Sequence, residues 1–393
     1  MKRINYRLCK YSFILVIINF ALLMTGVAES GILRFIPTVS QLFSLLTVVV
    51  LLLSGAIRKD GLSRIIVLWV VYVLLNTLFA PNNSLGRFIT ILESLYWVST
   101  YFIAQYFLSI RESSENNDRI VLTVFYIIAA LALYSIMFKT SKYNEEGVLI
   151  AKNVIFFPLL LAPWIASVRS IKNRWIAMIV LILLTFFSLK RSALIIVIVC
   201  FALMLIDKRN RGTKREVLSH IWVFLLLAGV IGYLGFSPSS PISDIQTRFR
   251  NINEDEGNGR LDIYAMVTAS FEMLPTENKI IGAGYKQVQN TLTGGLLDSS
   301  LSAHNDFLEV LYDYGIVGEV IFVALLITIL FRSIKFVRSK MWCGIPLMMS
   351  FMTILIMCLF SNLIIYPTYI LFLSSFWAFA ENQHRLQYEH SNH

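Results

Sequence analysis

Polar and apolar residues do not alternate along this chain; they are sorted into blocks. Apolar runs of about 20 residues recur with polar breaks between them. At about 1.5 Å of rise per residue, each such run, wound as a helix, spans the roughly 30 Å of a bilayer's hydrocarbon. The runs fall at 11–27, 39–56, 64–80, 88–108, 120–138, 149–168, 175–189, 192–206, 217–236, 306–331, 344–362 and 364–380, which predicts twelve membrane-spanning helices. Strands of alternating polarity are absent, so a barrel is not expected. The runs 175–189 and 192–206 are short enough for half-helices. The first run is too long, and too poorly flanked by small residues, for a cleaved signal peptide, and it is expected to stay in the protein.

Composition agrees with the pattern. Of 393 residues 57% are hydrophobic and 15% charged, with a mean hydropathy of +0.69, whereas soluble domains carry about 25% charged residues. The expected class is an all-α integral membrane protein. If the N-terminus is cytoplasmic, most of the 34 Lys and Arg residues fall on the cytoplasmic side, among them the cluster Lys208, Arg209, Arg211, Lys214 and Arg215. The positive-inside rule therefore sets both termini in the cytoplasm. The net charge of +10 is then mostly a matter of topology and does not imply nucleic-acid binding. Cys9, Cys200, Cys343 and Cys358 all fall in spans or on the cytoplasmic side, where no disulfide is expected, and no zinc pattern occurs.

One polar stretch, 237–303, is large enough to build a site, and this topology puts it on the outer face between the ninth and tenth spans. It begins "SPSSPISD", passes an acidic "NEDEGNG" and continues "RLDIYAMVTASFEML", where Leu261, Tyr264, Val267 and Phe271 recur at helical spacing. That spacing fits an amphipathic helix resting on the bilayer surface. The glycines of "GAGYK" and "LTGGLLDSS" then favour a close-approaching backbone, and a lone GAG is no nucleotide loop.

The chain has five histidines, and in this topology only His304 faces outward: His220 begins the ninth span, and His384, His390 and His393 are in the tail. An imidazole titrates near neutrality and can take a proton from a hydroxyl, so His304 is a candidate general base. The alternative is a helix-capping or interfacial histidine. Lys190 and Arg191 in "FSLKRSALII" stand between two apolar runs on the outer side, against the positive-inside trend. Cations at membrane depth are costly unless they are paired or face a polar cavity. Arg260, in "GNGRLDIY", begins the amphipathic helix, whose positive dipole end suits an anion. For these three the alternatives are a headgroup contact or an ion pair with Asp262 or Glu256; Arg248 and Arg250 read as ordinary loop charges. Glu93, Lys152 and Asn153 could line one cavity or pair, and Asp306, Glu309 or Asp313 could orient the imidazole.

The segment "HNDFLEVLYDYGIVG" fits H-N-x9-G-x2-G through His304, Asn305, Gly315 and Gly318. That pattern resembles the signature of the O-antigen ligase and Wzy-type polymerase superfamily, as do the twelve-span layout, the arginine in "KRSAL" and the one in "GRLDIY". The resemblance is strongest in the C-terminal half; the first six spans match only in hydropathy. It implies a GT-C-like glycosyltransferase of the bacterial inner membrane, with spans one to nine in 1–236, a periplasmic catalytic loop at 237–303, spans ten to twelve in 304–381 and a cytoplasmic tail at 382–393. It also implies a glycan on undecaprenyl diphosphate as donor, Arg191 and Arg260, with Lys190 beside them, holding the diphosphate, and His304 activating or positioning the acceptor hydroxyl. Such enzymes use neither metal nor cofactor.

The implied partners are the lipid-linked donor, a glycan or lipid A-core acceptor, the bilayer and, in some systems, a chain-length regulator. A repeat-unit polymerase is the first expectation, because "AHNDFLEVLYDYGIVG" after "GAGYK" looks more like that branch; an O-antigen ligase is the second. A lipid-linked oligosaccharide transporter is the competing class, but the chain shows no internal repeat of the kind many transporters carry.

Overall fold

The computed structural model describes residues 2–25, 31–79, 84–110, 115–139, 153–188, 190–207, 260–292, 302–363 and 366–391. Among these every regular element is a helix. In chain order they are α1 (Lys2–Thr25), α2 (Ile36–Leu53), α3 (Gly61–Phe79), α4 (Ser84–Ser94), α5 (Tyr96–Ile110), α6 (Glu115–Tyr134), α7 (Phe156–Leu159), α8 (Ala162–Ser167), α9 (Ile171–Ser188), α10 (Arg191–Ile206), α11 (Arg260–Glu272), α12 (Thr276–Ile281), α13 (Gln287–Leu292), α14 (Asp306–Arg338), α15 (Gly344–Phe360) and α16 (Pro367–Ser391). Short 3-10 turns precede α2 and α7, and a π-helical turn follows α6.

Among the described residues six helices are long and apolar enough to cross a membrane: α1, α2 with its preceding turn, α3, α6 with its following turn, α9 and α14. Three shorter apolar segments, 153–167, α10 and α15, add to them. The expected span 217–236 lies outside the described residues, as do Lys152, His220, Arg248, Arg250 and Glu256.

Several expected spans differ from single straight helices, each for a local reason. The run 88–108 is divided at Leu95 into α4 and α5. Just past the division Ser99 Oγ donates to the Leu95 carbonyl at 2.9 Å and Thr100 Oγ1 to that of Trp97 at 2.7 Å, and such back-bonding bends helices. The run 149–168 is broken into short turns because Pro158 and Pro163 interrupt the backbone ladder. Conversely, α16 runs unbroken through the expected tail to Ser391.

The helices share one core. α16 lies along α5, α14 packs on α15 and α3, α15 also covers α10 and α8, and α1 rests on α2 and α5. Large side chains lock these contacts: Trp97 meets Trp377 edge-on at 6.3 Å, and Phe20 stacks on Phe372 at 4.5 Å. Two faces of the bundle are fixed by long-range bonds. Tyr106 of α5 donates to the Lys2 carbonyl, Asn382 of α16 to that of Leu108, and Arg332 of α14 pairs with Glu381 of α16 at 2.9 Å. The first turns of α1 therefore share a face with the ends of α5, α14 and α16. α14 begins on the opposite face, beside His304.

On that opposite face α11, α12 and α13 form a small cap. Its own apolar cluster joins Val267, Ala283, Val288, Ala303 and Tyr312, with Ile263 and Phe271 packed against it. Of the apolar positions expected along this helix, α11 turns Val267 and Phe271, together with Ile263, toward α13 and α14, while Leu261 is 68% exposed. The inward stripe keeps Val267 and Phe271 of the expected positions and adds Ile263.

The cap is docked through a kink in α14. Gly315 adopts φ 67°, and a Cβ there would come within 2.5 Å of the Gly282 nitrogen and the Ile280 carbonyl. Gly282, at φ 95°, would place a Cβ 2.2 Å from the Asp313 carbonyl. Across this contact Ala283 N–H donates to the Tyr312 carbonyl at 3.0 Å and Gly284 N–H to that of Asp313 at 2.9 Å. Gly315→Ala should therefore undock the cap. The left-handed conformation alone costs a residue with a Cβ about 1–2 kcal/mol, and the clash adds to it. Limited proteolysis should show faster cleavage within 260–292 in the variant, and an unchanged rate would remove this account of the kink.

Candidate functional site

The site is built on the first turns of α14. Asn305 caps the helix, its Oδ1 accepting from the Phe307 and Leu308 N–H groups at 3.0 and 3.3 Å. The next acids follow at 306, 309 and 313, and each is almost wholly buried. None of them orients the imidazole; each binds backbone instead. Both oxygens of Asp306 accept from Leu363 N–H, at 3.0 and 2.9 Å. Glu309 Oε1 accepts from Ala303 N–H at 2.6 Å. Asp313 takes Lys286 N–H at 2.6 Å and Val288 N–H at 3.1 Å. Three carboxyl groups thus hold the residue before His304, the segment after α15 and the cap.

His304 sits among these anchors in a left-handed conformation, φ 52°. A non-glycine residue there is strained by about 1–3 kcal/mol and persists only where its surroundings over-determine it. The neighbours do so: Ala303 is tied to Glu309, and Asn305 is fixed as the cap. The capping alternative for the histidine is thereby removed, because the next residue caps the helix. Its ring Nδ1 lies 3.3 Å from Asn362 Nδ2, whose amide also bonds Ser302 Oγ. Amide oxygen and nitrogen are interchangeable by a flip, and the choice sets the tautomer. With Oδ1 turned to the ring, Nδ1 carries the proton and Nε2 presents a lone pair. Asn362 is a site residue that the sequence pattern did not reveal, since it lies far along the chain at the end of α15 and belongs to no motif with His304.

The cations converge on the same imidazole. Burial pushes the His304 pKa down, and the positive charges of Arg260 and Lys190 push it further, to about 4. Arg260 is the first residue of α11, and Arg191 is the first of α10, with Lys190 as its N-cap. Both helices bring their positive dipole ends to the site. Lys190 is further held by Nζ over the Phe156 ring at 5.6 Å. Arg260 makes no ion pair with Asp262 among the described residues.

A second pair closes the other side of the cap. Lys286 Nζ bonds Glu93 Oε2 at 2.7 Å, so the partner of Glu93 is a cap lysine, and Lys152 lies outside the described residues. Tyr285 also hydrogen-bonds Glu93, and burial pushes its phenol well above the usual value, which keeps it neutral. Beneath the cap Tyr72 donates to the Ile281 and Tyr314 carbonyls, and Asn76 to that of Ile281 at 2.6 Å. Gly318 leaves room for Tyr72: a Cβ there would meet its ring at 2.9 Å.

His304, Asn305, Gly315, Gly318, Lys190, Arg191 and Arg260 all fall inside one segment with a known likeness. Residues 176–323 match the O-antigen ligase family. This match agrees with the superfamily resemblance carried by the His-Asn motif, and the matched segment runs from α9 to the middle of α14. No curated protein matches the chain.

The electrostatics give a direct test. With its pKa lowered to about 4, the His304 imidazole is neutral at pH 7. Between the unfolded value near 6.5 and the folded value the unfolded chain binds the proton first, so His304 withdraws stability as pH falls through that window. Arg260→Gln removes one repelling charge and should raise the midpoint toward 6.5. Imidazole nitrogen NMR through a pH series, with His304→Gln to assign the resonance, reads the shift; an unmoved midpoint would show that the guanidinium does not reach the ring.

Proposed function

We propose that the protein is a membrane glycosyltransferase that takes its glycan from undecaprenyl diphosphate at the face bearing His304, working as a repeat-unit polymerase of surface polysaccharide. The observation that carries this reading is the meeting of Lys190 and Arg260 at the part-buried His304 imidazole, whose pKa burial lowers first and these two charges lower further. The O-antigen ligase domain supports the class of enzyme.

The chemistry follows from the charges. As the bond from the anomeric carbon to the diphosphate oxygen breaks, its electron pair goes to the leaving oxygen. Fixed cations and helix dipoles in a dry cleft stabilise that charge in the transition state without having to reorganise. Arg191 and Arg260 present guanidinium forks to phosphate oxygens, with Lys190 as a point charge beside them. The acceptor hydroxyl attacks the anomeric carbon from the opposite side and gives its proton to Nε2 of His304, once the Asn362 amide, whose Nδ2 faces the ring, is flipped so that Oδ1 accepts from Nδ1–H. One displacement inverts the anomeric configuration. Bound diphosphate also offsets the cations that depress the imidazole, so the ring becomes a stronger base once the donor is seated. Holding donor and acceptor together at the membrane contributes up to about 7–11 kcal/mol in favourable geometries.

A second reading differs only in the acceptor. The matched family is described as O-antigen ligase, and a ligase would transfer the finished chain to lipid A-core with the same donor chemistry. A deletion strain separates the two on a polysaccharide gel: lipid A-core bearing one repeat without a ladder marks the polymerase, and loss of all attached glycan, with chains accumulating on undecaprenyl diphosphate, marks the ligase.

Site variants test the mechanism itself. His304→Ala should lower glycan transfer by about 10²–10⁴-fold, the usual worth of a positioned base, while the protein still inserts. Arg260→Ala should lose about 10²–10³-fold, as other fixed charge stabilisers do, and Arg191→Lys should also be impaired because the fork is lost. Transfer by His304→Ala at the wild-type rate would remove the imidazole from the reaction.

A further inference from the structure

On the face opposite His304, a cavity of about 440 Å³ opens between α1, α5, α6, α8 and α16. Its volume lies within the range of small-molecule sites, roughly 300–1,000 Å³, yet it touches none of the groups placed in the transfer chemistry. Inside, the walls are apolar: Phe107, Leu161, Trp164 and Phe372 are among them. The few polar side chains on those walls have their bonding met locally. Thr100 Oγ1 is taken by the Trp97 carbonyl and Ser374 Oγ, Ser167 Oγ donates to the Trp164 carbonyl, Ser375 Oγ to that of Phe372, and Trp164 Nε1 to that same Phe372 carbonyl. A hydrocarbon chain fits such walls and a sugar does not, because a sugar's hydroxyls would find no free partner there.

The rim is of the opposite character. Lys10, Asn117, Asp118, Arg169 and Gln383 stand at the end of the cavity nearest the chain termini. Asp118 is already engaged, its Oδ2 accepting from the Arg169 N–H at 2.8 Å. The side chains of Lys10 and Arg169 are exposed and form no ion pair among the described residues. A dry apolar chamber ending in two uncommitted cations matches one kind of molecule: an amphiphile with an anionic head.

The geometry points to a binding site for an anionic phospholipid, drawn from the leaflet opposite the His304 face, with an acyl chain in the chamber and its phosphate between Lys10 and Arg169. The lipid would fill the gap between α1 and α6, lined by Lys10 and Asp118 at its polar end. It stands apart from the donor site by the length of α14, so the two sites read different leaflets. Each basic residue near a membrane surface contributes about 1 kcal/mol toward an anionic lipid, which for this pair corresponds to a preference of about tenfold or more over a zwitterionic lipid.

The test is native mass spectrometry of the detergent-solubilised full chain equilibrated with equimolar phosphatidylglycerol and phosphatidylcholine. Wild-type protein should retain one phosphatidylglycerol with that preference. Lys10→Gln combined with Arg169→Gln, both at exposed positions, should bring the preference close to one to one. Val124→Trp, which fills the cavity from α6, should release the lipid altogether. Equal retention of the two lipids by wild type, retention of detergent alone, or an unchanged preference in the double variant would each overturn the assignment. Should Val124→Trp fail to fold, the double variant decides alone.

Discussion

Backbone N–H groups at the edge of a bilayer have little water to bond, and an unpaired one costs several kcal/mol. The answer here is a row of buried carboxyl groups at the start of α14. Asp306, Glu309 and Asp313 each bind backbone from a different segment, namely the turn after α15, the residue before His304 and the cap. Three segments distant in sequence are thereby gathered around one helix start. The same anchors keep His304 in its left-handed conformation, and the same helix, kinked at Gly315, receives the cap on its carbonyls. Fold and site are therefore a single device: whatever loosens the anchors moves the imidazole.

This arrangement explains how much of the structure could be read from the chain alone. Apolar blocks made most helices legible, because bilayer thickness fixes their length. What interrupted them was also written locally, in Pro158, Pro163, Ser99 and Thr100, but such residues are common in helices that do not break, so the breaks at 95 and 160 were not legible in advance. His304, Gly315 and Gly318 stood out as a motif, and the structure supplies their physical reasons: strain, kink and close approach. The roles of the acids were not legible, for a plain cause. Spacing on a helix says which face a side chain occupies and nothing about which distant backbone will meet it. Asn362 was invisible for the same reason, and the partner of Glu93 came from the cap rather than from a neighbouring span. In the cap helix α11, a polar sequence with one clear apolar stripe left two faces open, and contact with α13 and α14 chose between them.

The cations pose the remaining question of why a membrane protein tolerates Lys190, Arg191 and Arg260 so close together. Helix geometry makes the cost larger, since α10 and α11 both direct their positive ends to the same place. Burial first, and the charges of Arg260 and Lys190 after it, lower the basicity of His304. An anion seated in the field reverses both penalties at once. On the proposed function a bound diphosphate would neutralise the cations and restore part of the proton affinity of the imidazole. A water molecule arriving alone meets a weak base and no leaving group. On the proposed function the charges would tie proton transfer to donor binding, which gives a reason for setting lysine and arginine, rather than a neutral donor, beside the histidine.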